Sequence, residues 1–133
     1  MAKKVLIVED TEDIAEALKI LIEMQGYDAV VARDGFEGCR MALEESPDLI
    51  LMDLALPGMD GLEATREIRA TPEGSGTPIV VVSSYAAGAR EQLLEAGCNE
   101  VLTKSSFISS FGPTLTRYLG GAVPSDAVAS SKN

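Results

Sequence analysis

Asp53 ends an apolar run, Leu49-Ile50-Leu51-Met52, and is followed at once by Leu54-Ala55-Leu56-Pro57-Gly58-Met59-Asp60-Gly61. A continuous apolar run of this kind reads as a parallel strand covered on both faces. In open α/β sheets, ligands bind in the crevice beyond the carboxyl ends of such strands. Glu9-Asp10 follows the run Val5 to Val8 in the same way, Ser83-Ser84 follows Ile79 to Val82, and Lys104 follows Leu102-Thr103. Carboxylates brought to one sheet edge repel and raise one another's pKa unless a cation joins them. An oxygen-only ligand set favours a hard ion such as Mg²⁺. A hydroxyl and a turning backbone N–H can donate to phosphoryl oxygens, and a lysine offers a mobile point charge. Acids holding Mg²⁺, a hydroxyl and an ammonium together describe a phosphoryl-transfer site, where positioning and charge neutralisation do most of the work.

Each residue alone also has a plain structural reading. Asp53 can simply begin the turn that Pro57, Gly58 and Gly61 complete, and Ser83 or Ser84 can be turn hydroxyls. Glu9 and Asp10 can be acids at a helix N-terminus, favoured by its dipole. Lys104 can be a solvated surface charge. Their joint placement after the first, third, fourth and fifth strands is what favours chemistry over these separate readings.

The elements that must position them alternate short apolar runs with longer helical patterns, the signature of repeated βα units and a mostly parallel sheet. After strand Val5 to Val8, the residues Ile14, Ala17, Leu18, Leu21 and Ile22 recur at helical spacing, with Thr11 and Asp13 available as caps and Gly26 closing the helix. Ala29 to Ala32 is a second strand, and Gly35 to Glu45 a helix that stops before Pro47. Leu49 to Asp53 is the third strand. Leu62, Thr65, Ile68 and Arg69 mark the next helix, ended by the loop Thr71 to Pro78. Ile79 to Val82 is the fourth strand, followed by a helix around Ala89 to Ala96 that stops at Gly97. Glu100 to Thr103 is the fifth strand. The final helix is expected to start at Ser109 or Ser110, which puts Pro113 in its first turn and Phe111, Leu115, Tyr118 and Leu119 toward the sheet.

With 133 residues the chain fits one domain, expected over residues 1–120, with a flexible Gly/Ala/Ser/Pro-containing tail over 121–133. A net charge of −10, from 21 acidic against 11 basic residues, argues against binding nucleic acid or an anionic membrane. No apolar run approaches the ~20 residues that span a bilayer. The N-terminus Met1-Ala2-Lys3-Lys4 leads into no signal-peptide core, so a cytoplasmic setting is expected. Cys39 and Cys98 form no CxxC pair, and the absence of His removes His-based triads and imidazole zinc sites.

These blocks, from about Lys4 to Leu119 and including Thr77-Pro78-Ile79-Val80-Val81-Val82-Ser83-Ser84 and Ala96-Gly97-Cys98-Asn99-Glu100-Val101-Leu102-Thr103-Lys104, resemble the receiver domain of bacterial two-component response regulators. The resemblance implies a flavodoxin-like, doubly wound α/β fold with a five-stranded parallel sheet in the order 2-1-3-4-5. It implies that Asp53 accepts a phosphoryl group from a histidine kinase or histidine phosphotransfer protein. Asp10, Asp53 and the Ala55 backbone carbonyl would hold Mg²⁺, with Glu9 acting directly or through water. Ser83 would be the switch hydroxyl, with the Ser84 N–H beside it, and Lys104 would pair with a phosphoryl oxygen. Because no output domain follows Leu119, a stand-alone receiver that signals to an unknown downstream protein is expected. It would not be an enzyme, beyond assisting its own phosphorylation and dephosphorylation.

The chain departs from the family pattern in places. Val101 stands where most receivers carry the switch aromatic. Ser105 stands where Lys104 is normally followed by Pro in a cis bond. A cis bond without Pro costs about 2.5–4 kcal/mol, so this junction is either strained for function or trans. The stretch from Ser83 to Arg90 is also short. Ala55 and Tyr85 border the path of attacking water and are expected to tune the lifetime of the phosphate, Tyr85 by shielding it and Ala55 by offering no polar group. Two other readings stay open. One is a receiver-like interaction domain acting without phosphorylation. The other is a haloacid dehalogenase-type phosphatase, which needs a second Asp where Ala55 stands.

Overall fold

In the computed structural model, which describes residues 2–84 and 87–120, five strands form one parallel sheet in the order β2-β1-β3-β4-β5. They are β1 (Lys4–Val8), β2 (Asp28–Ala32), β3 (Leu49–Met52), β4 (Ile79–Ser83) and β5 (Glu100–Thr103). β3 and β4 are buried along their whole length, whereas the edge strands β2 and β5 have partly exposed positions. Central parallel strands lie under helices on both faces, which is why they read as unbroken apolar runs rather than alternating ones.

Among the described residues, six α-helices cover the two faces: α1 (Glu12–Met24), α2 (Gly35–Glu44), α3 (Gly61–Arg69), α4 (Arg90–Ala96), α5 (Lys104–Ser109) and α6 (Phe111–Leu119). Leu6, Val8, Ile50, Met52 and Val81 point to the side where Ala42, Ala64, Ile68 and Leu93 of α2, α3 and α4 pack. The alternate residues Val5, Ile7, Leu51, Val80 and Val82 point to the other, against Ile22 of α1, Phe107 of α5, and Leu115 and Leu119 of α6. Strand order reverses between β1 and β3, so a crevice opens beyond their carboxyl ends.

Two helices start as their sequence chemistry dictates. The Asp34 carboxylate accepts the Glu37 N–H at 2.7 Å at the head of α2, and Asp60 accepts the Glu63 N–H at 2.9 Å at the head of α3, each satisfying an orphan donor of the first turn. α4 ends at Gly97, whose φ of 114° suits glycine. Below the sheet, at the edge away from the crevice, Arg69 donates to Gly97 O at 2.8 Å, to Gly74 O at 2.7 Å and to Asn99 Oδ1 at 2.9 Å. Asn99 Oδ1 also accepts the Ile79 N–H at 2.9 Å, so one guanidinium ties α3, the 71–78 loop, the end of α4 and the approach to β5.

Besides β1 and β2 starting one residue earlier, at Lys4 and Asp28, and β4 ending one later, at Ser83, the structure differs from the expected elements in three places. β3 stops at Met52, leaving Asp53 as the first loop residue. On α1 only Ala15 and Ile22 are buried, while Ala17 and Leu21 are exposed, and Thr11 caps by position without a side-chain bond. The third difference is a helix not expected at all. α5 begins at Lys104 itself, with the Thr103 hydroxyl accepting the Ser106 N–H at 3.0 Å. Among the described residues no peptide bond is cis, so the Lys104-Ser105 bond is trans. A proline at 105 would push residue 104 out of the helical region, and Ser105 removes that restriction. α6 starts after Ser110 as expected, with Pro113 in its first turn. The tail expected over 121–133 lies outside the described residues.

Candidate phosphoryl-acceptor site

The register of the sheet places the site. Val8 pairs with Met52, so Glu9 and Asp53, the next residues along, leave the sheet side by side. Their backbones are still tied to it, since the Asp53 N–H donates to Val8 O and the Glu9 N–H to Ala32 O, both at 3.0 Å. Ser83 closes β4 opposite Thr103 of β5, and Lys104 follows directly. Side chains distant in the chain therefore meet at one edge through strand pairing alone.

Glu9 and Asp53 are almost fully buried, at 3% and 7% exposure, while Asp10 is exposed. Ligand oxygens of Glu9, Asp10 and Asp53 all lie within 4.8 Å of one another. Around a Mg²⁺ ion with oxygens at about 2.1 Å, opposite ligands stand about 4.2 Å apart, so this spacing is close to that of one coordination shell. The donor set is all oxygen, as a hard ion requires.

Lys104 Nζ approaches Glu9 Oε1 at 3.6 Å, and the Thr11 N–H donates to Glu9 Oε2 at 3.1 Å. The Ala55 N–H donates to Asp53 Oδ1 at 3.3 Å. The turn reading of Asp53 is thus also realised, because an Asp side chain accepting the N–H two residues on is how such a residue starts a turn. Burial first and repulsion from Glu9 second raise the Asp53 pKa, against the opposing Lys104 charge and Ala55 N–H, to a net value of about 6. Asp53 is consequently a buried carboxylate short of positive charge.

The loop between Asp53 and α3 is fixed by close backbone approach. A Cβ on Gly61 would run into the Asp53 carbonyl and stand 2.9 Å from Leu54 Cα. Gly35 at the head of α2 likewise leaves room for the Met59 backbone.

Of the remaining residues singled out from the sequence, Ser83 is buried at the end of β4 and Ser84 is exposed in the bend after it. Ala55 is exposed beside Asp53, and Tyr85 lies outside the described residues. Val101 is buried in β5 on the α2-α3-α4 side. Its carbonyl accepts Arg90 Nη1 at 3.1 Å, a tie between the start of α4 and β5 that nothing in the local pattern announced, since a long cation near a strand has no spacing signature.

The chain matches the response regulator receiver domain model over residues 5–110. It is 37% identical over 123 residues to the polar-differentiation response regulator DivK of Brucella ovis, covering 92% of this chain and 100% of that protein. Among solved structures, it is similar to the receiver domain of the sensor histidine kinase PA1611 of Pseudomonas aeruginosa, with a magnesium ion coordinated in its active-site cleft. That likeness has a TM-score of 0.82 and 35% identity, over 90% of this chain and 99% of that one. The Vibrio cholerae chemotaxis protein CheY4 is similar at a TM-score of 0.82 and 26% identity, over 90% of this chain and 100% of that one.

Proposed function

Because the chain belongs to the response regulator receiver domain family, we propose that Asp53 is the phosphoryl acceptor of a two-component signalling reaction. The observation that carries this reading is the gathering of Glu9, Asp10 and Asp53 within 4.8 Å, with Lys104 against Glu9, at the edge where β1 and β3 end. A carboxylate oxygen of Asp53 attacks the phosphorus of a phosphohistidine on a histidine kinase or histidine phosphotransfer protein. The P–N bond breaks, the imidazole leaves with its electron pair, and an aspartyl phosphate results.

Glu9, Asp10, Asp53 and the Ala55 carbonyl would hold Mg²⁺. When bound, the ion neutralises the charge on the transferring oxygens and on the crowded carboxylates. Lys104 turns from Glu9 to a phosphoryl oxygen, a charge-assisted contact, and Ser83 with the Ser84 N–H donates to another. Ala55 offers no group to orient water, and Tyr85 shields the phosphate, so hydrolysis is slow. The product is a conformational state read by a downstream protein in the cytoplasm, and the chain turns over no external substrate.

Incubation with Mg²⁺ and acetyl phosphate tests this. A stable one-phosphoryl adduct that Asp53→Asn abolishes is expected. Rapid consumption of acetyl phosphate without an adduct would instead support a phosphatase. No adduct at all would support an interaction domain acting unphosphorylated, a reading that draws on Val101 standing in place of an aromatic and Ser105 in place of a proline.

A further inference from the structure

On the face shared by α1, α5 and α6, α1 rests on β1 and β2 while α5 rests on β4 and β5. The two helices thus flank the carboxyl half of β3 without closing over it. α5 is short, and the chain turns at Ser110, with φ −120° and ψ 29°, before α6 lays Leu115 and Leu119 farther down. A cavity of about 170 Å³ is left, with Ile7 and Leu51 on its floor, Ile14 and Leu18 on one wall, and Phe107 and Ile108 on the other. Ile108, at 55% exposure, borders the opening.

We infer that this cavity binds a neutral, apolar molecule the size of a single aromatic ring. Size is the first argument. A cavity of about 150 Å³ lined by Leu, Ile and Phe stays dry and takes up benzene, whereas a docking helix, about 10 Å across, is too large. Polarity is the second. Among the described residues, the charged groups on the rim are Glu9, Asp53 and Lys104. Glu9 is held by Lys104 at 3.6 Å and by the Thr11 N–H at 3.1 Å, and Asp53 by the Ala55 N–H at 3.3 Å. An anionic occupant would therefore lie against the Glu9 and Asp53 carboxylates, and its polar atoms would find no partners among Ile7, Ile14, Leu18, Leu51 and Phe107.

The test is a titration of the full chain with toluene, followed by amide NMR. Saturable shifts centred on Ile14, Leu18, Phe107 and Ile108 are expected, with binding at least tenfold weaker for benzoate. Leu18→Phe, or Ile14→Phe if the first variant fails to fold, fills the space and removes the toluene response. No saturable shift up to the solubility limit of toluene, shifts centred elsewhere, or equal binding of benzoate overturns the inference. Neither Mg²⁺ nor acetyl phosphate enters this readout, so its failure leaves the Asp53 reading intact.

Discussion

Lys104 Nζ stands 3.6 Å from Glu9 Oε1, so in the unphosphorylated chain the ammonium is engaged by the neighbour of Asp53. The lysine still lowers the Asp53 pKa through space. Replacing it by Met is expected to raise the Asp53 pKa above about 6 in metal-free protein, read by carboxyl NMR. The same variant should slow phosphorylation by acetyl phosphate by at least about tenfold, as expected for losing one charged partner of the transferring group. An unchanged rate would remove Lys104 from the phosphoryl site.

The raised pKa of Asp53 has a definite pH signature. Between the ordinary value of 3.8 and about 6 the folded chain holds a proton that the unfolded chain has released. Stability therefore falls as pH rises through this window. Asp53→Asn removes the buried charge. In EDTA it should match wild type near pH 4 and exceed it at pH 7 by on the order of 2 kcal/mol. Adding Mg²⁺ should close that gap for wild type, with urea unfolding as the measurement.

Gly61 is the residue on which the backbone of the acceptor loop rests. Gly61→Ala forces the Asp53 carbonyl and Leu54 away from α3, and with them the Asp53 carboxylate. Mg²⁺ affinity is expected to fall by about tenfold or more, equivalent to about 1.4 kcal/mol, by calorimetric titration. Affinity equal to wild type would show that the loop yields without moving the acceptor.

Arg69 supports the opposite edge of the sheet. Arg69→Ala removes donors to Gly74, Gly97 and Asn99 and should lower stability by roughly 2–4 kcal/mol. Mg²⁺ binding at the remote carboxylates should be unchanged while the chain remains folded. Thermal unfolding together with a Mg²⁺ titration separates the two effects.

The central strands and the acid pairing were readable because two-sided burial writes itself as an apolar run, and because residues just past paired strands must emerge together. Glu9, Asp53 and Lys104 could be gathered on that logic alone. α5 could not, since Lys104 to Ser109 carries a polar, serine-rich pattern in which Phe107 is the one buried residue, too little to set a helical period. On α1 the periodicity was present but ambiguous. Ile20, Leu21 and Met24 are large and exposed, so the apolar stripe is wider than the face the sheet can cover. The bond between Arg90 and Val101 O depends on how α4 approaches β5, a tertiary fact without local spacing.

Beyond its local bond to the Ala55 N–H, the charges that act on Asp53 come from other strands: Glu9 from the end of β1 and Lys104 from the end of β5. In a chain with β1 misplaced, Asp53 loses the neighbouring acids Glu9 and Asp10, and with β5 misplaced it loses the Lys104 charge. On the function proposed for Asp53, competence to take up phosphate is therefore a certificate of completed folding, and half-made copies of the protein stay silent rather than sending a false message.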